Sequence, residues 1–156
     1  MVQSISTCNI RKEGNANNRI MELITSNKGG QKLIFEGYMY TCQHDRPSGK
    51  RWQCVERSTK CKGAVRTLGL GNPEIIEIHN HEASEEKVAV QKARATMKRC
   101  AEVGIGKPAQ IYSRVHATLT DDARIALPSP ETCKRATRRS LNANEPAQPL
   151  QLQVNI

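Results

Sequence analysis

Aromatic residues are scarce, with one Phe, three Tyr and one Trp in 156 residues. Apolar residues reach only 37%, under the roughly 45–50% of ordinary globular domains. Such a chain cannot fill an extensive core. Four of its five aromatics, Phe35, Tyr38, Tyr40 and Trp52, lie close together, so the best-packed unit is expected around them. No stretch of about eighteen apolar residues occurs, which excludes a transmembrane helix. The segment MVQSISTCNIRKEGNANN has no apolar centre, so no signal peptide is expected. No Asn-x-Ser/Thr sequon is present either. The aspartates are Asp45, Asp121 and Asp122 alone. A ribonuclease-H-like nuclease needs three acidic metal ligands spread over a much larger domain. The P-loop, G-x-S-x-G and H-E-x-x-H signatures are all missing. The expectation is a chain that is not an enzyme, with neither a membrane nor a small-molecule substrate as partner.

Basic charge and cysteine are present. Lys and Arg number 24 against 15 Asp and Glu, for a net charge of +9. That excess favours an anionic partner, most often nucleic acid. Six Cys without an export signal read as reduced thiols, buried or ligating a metal. Three disulfides are the rival reading. The Cys run from Cys8 to Cys133 and do not cluster in a compact frame.

Composition divides the chain into four stretches. Residues 1–20 read as a disordered arm. Residues 21–82 carry short β-type runs between turn signals. Residues 83–141 are rich in Ala, Lys, Arg and Glu and read as helical. Residues 142–156 read as a disordered tail. Within the second stretch the strand runs are Lys32–Glu36, Tyr38–Cys42, Lys50–Glu56, Lys62–Leu68 and Glu74–Ile78. Tyr38, Tyr40 and Cys42 share one face, which gives Cys42 a core role. Trp52 and Cys54 face one way, and Arg51, Gln53 and Arg57 the other. The expected fold class is α+β: a four- or five-stranded antiparallel sheet followed by a short helical region. A sheet this small needs a staple.

Cys54, Cys61, His79 and His81 supply one, in the spacing C-x6-C-x17-H-x-H. Side chains two apart on a strand share a face, so one ion can hold both imidazoles. Cys54 ends one strand and Cys61 starts the next, and the loop between them can fold back. Zinc takes four tetrahedral N and S ligands in structural sites. Two thiolates and two neutral imidazoles leave a bound Zn2+ neutral overall. Such binding contributes on the order of 10 kcal/mol to folding. Cys42 and His44 are rival ligands; Cys8, Cys100 and Cys133 read as unliganded thiols. Two buried Cys and two solvated His are the competing reading.

The ordered set Leu33, Tyr40, Trp52, Cys54, Cys61, His79 and His81 resembles the FLYWCH-type zinc finger over roughly residues 22–82. Leu23 or Ile24 stands where that family's Phe is expected. Arg51 replaces a frequent aromatic, and Gly63 takes a place often held by a larger residue. The resemblance implies a Cys2His2 zinc site on a β-sheet module similar to the WRKY and GCM families, which present a sheet to the DNA major groove.

The residues themselves offer a basic rim for duplex DNA: Lys50, Arg51, Arg57, Lys60, Lys62 and Arg66, with Gln53 placed to reach a base edge. Lys62 and Arg66 are expected to share a strand face on either side of Ala64. Residues 22–82 hold nine Lys and Arg against seven Asp and Glu, so the charge is local. A solvated rim or a protein-binding finger is the alternative. Beyond residue 82, Ser84-Glu85-Glu86 opens a helix that runs to about Val103 and stops at Gly104. Its apolar stripe is Val90, Ala93, Met97 and Cys100. Pro108 opens a second helix, and Ser129-Pro130-Glu131 a third to about Leu141. Asp121-Asp122 reads as a turn. The three-helix unit is compatible with a helix-turn-helix and equally with a partly disordered linker, and protein partners through these helices are a further expectation. Lys134, Arg135, Arg138 and Arg139 give the last helix a basic face and read as a nuclear import signal, which places the chain in the nucleus. Leu127-Pro128-Ser129 and the basic helix resemble the region between a FLYWCH finger and a Mutator-like transposase domain, which implies transposase ancestry.

Overall fold

The computed structural model describes residues 21–26, 29–69, 71 and 73–143. The N-terminal arm and most of the C-terminal tail expected from composition lie outside these residues. An antiparallel sheet is followed by four helices, an α+β architecture. The strands are β1 (Glu22–Thr25), β2 (Gln31–Phe35), β3 (Tyr38–Arg46), β4 (Gly49–Cys54), β5 (Ala64–Thr67) and β6 (Glu74–Glu77). They form one meander in sequence order, each pairing with the next.

The sheet therefore has six strands, not four or five. The segment the expectation missed is β1, four residues whose half-exposed side chains alternate weakly. Its pairing with β2, Leu23 opposite Leu33, makes it a strand. The β2–β3 hairpin turns on Glu36 and Gly37, both at positive φ (50° and 76°). Two left-handed residues match the twist of the flanking strands. Leu33, Phe35, Tyr40, Trp52 and Val65 form the sheet core, with Met21 and Tyr38 against it. The Trp52 indole N–H donates to the buried Thr67 hydroxyl at 2.9 Å. That bond removes the cost of an unpaired donor in the core.

Cys42 is a correction. It stands opposite Trp52 in register, yet it is exposed. A register shift between Cys42 and His44 lets the β3–β4 hairpin run past the core. Cys42 lies beyond the edge of the packed residues, and its thiol only donates to the His44 carbonyl at 3.6 Å.

The helices are α1 (Glu85–Glu102), α2 (Pro108–Ala117), α3 (Asp121–Ala126) and α4 (Pro130–Ala143). Ser84 caps α1 by accepting from Lys87 N–H at 3.3 Å, with Glu85 and Glu86 in the first turn. The helix ends at Gly104 (φ 71°), and Ile105 N–H returns to the Cys100 carbonyl at 2.9 Å. The Asp121-Asp122 pair is not a turn. It lies in the first turn of α3, capped by the Thr120 hydroxyl on Ala123 N–H. Arg124 of α3 donates to the carbonyls of His116 and Ala117, closing the end of α2. Four helices thus stand where three were expected. Ala93, Met97, Ala101, Ile111, Val115, Leu127 and Cys133 build their core, with Val90 and Cys100 packed against it.

Helix α1 is tied to the sheet along its length. Ser84 N–H donates to the Gly37 carbonyl, Lys87 pairs with Glu56, and Lys92 pairs with Glu22. Lys98 donates to the Ser26 carbonyl at 3.1 Å. Among the described residues no helix is long and apolar enough to cross a membrane.

Candidate metal centre

The chain reaches the site from three elements. Cys54 is the last residue of β4, Cys61 lies three residues before β5, and His79 and His81 follow β6 directly. Pairing of β4 with β5 folds the Cys54–Cys61 loop back on itself, and Cys54 N–H donates to the Gly63 carbonyl at 2.9 Å. Asn80, between the two histidines, donates from its side chain to the Thr59 carbonyl at 3.0 Å. It pins the cysteine loop to the histidine segment.

One ligand atom from each of Cys54, Cys61, His79 and His81 lies within 4.8 Å of all the others. Both cysteines are buried and both histidines half-buried. Cys54 Sγ is 3.3 Å from His81 Nε2, and Cys61 Sγ is 3.3 Å from His79 Nδ1. In a tetrahedron with Zn–S of about 2.3 Å and Zn–N of about 2.05 Å, the S–N edge is about 3.6 Å. The observed edges are close to that length.

The hydrogen bonds select the ligating nitrogens. His81 Nδ1 is 2.9 Å from the Glu82 carbonyl, which can only accept, so Nδ1 carries the proton and Nε2 presents its lone pair beside Cys54. On His79 the other nitrogen, Nδ1, faces Cys61, while Nε2 is 2.8 Å from the Tyr40 hydroxyl. An outer partner on the second ring nitrogen is the usual support of a metal-bound histidine. Tyr38 stacks flat on His79, with centroids 3.7 Å apart, and its hydroxyl donates to the His81 carbonyl at 3.2 Å.

The thiols are also supported. Each sulfur accepts a backbone N–H from two residues on: Glu56 to Cys54 at 3.4 Å, and Gly63 to Cys61 at 3.3 Å. Burial pushes the Cys54 thiol up, against the lowering effect of the Glu56 N–H. Burial and then the nearby His81 hold His79 below the ordinary imidazole range, which favours the neutral ring a metal requires. Gly63 has a second role. A Cβ there would lie 2.5 Å from the His79 ring. The departure at Gly63 noted in the sequence is therefore the space that admits the imidazole.

The structure thus brings the four residues of the C-x6-C-x17-H-x-H pattern together. The rival His44 and Cys42 sit on the hairpin beyond the core, and Cys133 is in the helical core; Cys8 lies outside the described residues. The supporting groups Tyr38, Tyr40, Gly63 and Asn80 escaped the sequence reading. The Asn between the two His and the Gly two residues after Cys61 were their only local signals.

The expected DNA-contacting residues differ in exposure and in pairing. Lys50 pairs with Asp45 at 2.9 Å on the Trp52 face, and Arg51 pairs with Glu77 at 3.1 Å. Gln53 is half-buried opposite Thr41 and Ala64. Arg57, Lys60, Lys62 and Arg66 are exposed. Lys62 precedes β5 rather than lying on it, and Ala64 is fully buried. Of the expected Lys62–Ala64–Arg66 strand face, Ala64 and Arg66 lie on β5 and Lys62 just before it. Lys60 and Lys62 instead line a shallow depression with Ile76, Ile78 and Asn80.

A small antiparallel sheet closed by two cysteines from a folded-back loop and two histidines after its last strand defines a metal-binding β-finger. Residues 23–82 match the FLYWCH zinc finger domain family. The match stops before α1 and does not include the helices. No curated protein matches the chain.

Proposed function

We propose that the chain is a zinc-dependent module that binds duplex DNA with sequence preference, acting in the nucleus in transcription regulation or descended from a transposase. Zinc is the metal this reading assigns, because two thiolates and two imidazoles in four-fold arrangement suit it better than oxygen-seeking ions. Bound there, it supplies a structural cross-link and no catalysis, since four protein ligands leave no open position. The chain is accordingly read as a binding protein and not an enzyme.

The observation carrying the DNA reading is the exposure of Arg57, Lys60, Lys62 and Arg66 around the loop that the ligands Cys54 and Cys61 bracket. Cations held on a metal-stapled loop keep their spacing, which positions a protein on phosphates. Lys50 and Arg51 contribute less, because Asp45 and Glu77 already neutralise them. The test is a salt-titrated duplex-binding assay on wild type and K62E/R66E. The variant should bind more weakly, and its salt dependence should be shallower, with folding and metal content retained. Undetectable wild-type binding at low salt ends this reading.

A zinc-stabilised protein-interaction adaptor is the second reading. It is favoured by Ile75 on the outer strand β6 and Ile78 just after it, both exposed. An open sheet edge with apolar side chains can receive an extended segment of a protein partner.

A further inference from the structure

The basic face of α4 and the side of α1 opposite it take no part in the metal centre. Between them lies a cleft of about 220 Å3, whose walls include Arg94 and Lys98 from α1 and Thr132, Ala136, Arg139 and Ser140 from α4. The four α4 residues recur at i, i+4, i+7 and i+8, one stripe of the helix. Among the described residues no carboxylate lines the cleft. Lys98 is shared with Glu102 and the Ser26 carbonyl. Arg94 and Arg139 have no carboxylate partner among the described residues. The charge of Arg94 is felt by its neighbours. Burial and then Arg94 hold Lys32 below the ordinary lysine range, and Arg94 opposes the rise that burial imposes on Cys133. The one carboxylate of α4, Glu131, is occupied by Lys134 at 3.1 Å.

Two guanidinium groups facing an open cleft without a carboxylate suit a phosphate oxyanion, which their planar forks can grip in paired hydrogen bonds. We infer that the α1–α4 cleft holds a phosphate of the nucleic-acid backbone between Arg94 and Arg139, giving the chain a second contact surface outside the finger. This inference rests on the DNA-binding reading above. It assigns part of the affinity to helices that the family match does not include.

The test uses the full chain loaded with zinc and a duplex long enough to span both surfaces, read by fluorescence anisotropy over a salt series. R94Q/R139Q should weaken binding about tenfold and reduce the slope of log affinity against log salt by about 1–2, as each lost phosphate contact requires. R94K/R139K should restore the slope. Metal content and thermal unfolding should stay unchanged; if the double variant does not fold, the exposed R139Q alone carries the test. Unchanged affinity and slope in R94Q/R139Q, with binding lost in K62E/R66E, overturns this inference and leaves the finger reading standing. Absence of wild-type binding overturns both. Saturable binding of inorganic phosphate or polyglutamate that disappears in R94Q/R139Q, with duplex affinity intact, gives the cleft to a free anion or an acidic protein and also overturns it.

Discussion

A methyl group on Gly63 would sit 2.5 Å from His79 Cε1 and Nδ1, the latter being the nitrogen turned to Cys61. Real Cβ atoms do not approach that closely, so the ring must move and its lone pair leaves the ligand cluster. Gly63→Ala should lower metal affinity by more than about tenfold in a chelator-competition titration. Tyr40 acts from the other side of the same ring. Tyr40→Phe keeps the apolar body in the core and removes only the hydroxyl on Nε2. Metal affinity should fall about tenfold or more, the usual cost of losing an outer-shell partner, and the unfolding midpoint of the metal-loaded protein should fall with it, because metal binding is linked to folding. The two ligand pairs were legible as residues because H-x-H and C-x6-C are local patterns. Tyr40 and Gly63 were not legible as parts of the site. Their roles depend on contacts to His79 made across 39 and 16 positions of chain.

Elements were readable in proportion to their autonomy. Helix α1 announced itself through Ser84, two glutamates and Gly104, each with a local physical effect. Ser84→Ala removes the acceptor for Lys87 N–H and should cost about 1 kcal/mol in denaturant unfolding, the usual value of an N-cap. The strands from β2 to β6 were visible in alternation and turn residues, and their ends differed by a few positions. Strand β1 and helix α3 were missed for a shared reason. Four residues of half-exposed strand and six of helix carry too little periodicity to read, and partners elsewhere define them. Leu33 and Ile34 give β1 its pairing, while Arg124 fastens α3 to the end of α2. Cys42 misled because alternation assigns a face but not the distance from the core; the register shift at Cys42/His44 supplies that distance.

At the scale of the molecule, two apolar cores lie side by side. One is the sheet cluster around Trp52, and the other is the helical cluster around Met97 and Ile111. The metal centre joins the sheet cluster through Tyr38 and Tyr40, and the helical core contains none of its ligands. Chelation should therefore act unevenly. Trp52, the sole Trp and 1% exposed, should shift its emission to the red as the finger opens. Most of the helical far-ultraviolet signal should persist, because the helical core keeps its own contacts. Simultaneous loss of both signals would mean that α1 depends on the finger through Lys87–Glu56, Lys92–Glu22 and Ser84–Gly37.

The whole account depends on one metal ion closing the sheet. Elemental analysis of the purified chain tests this most directly, beside Cys61→Ala and His81→Ala. The account predicts one zinc per wild-type chain, and metal loss with an unfolded finger in both variants. A wild-type chain that is folded and metal-free would contradict it.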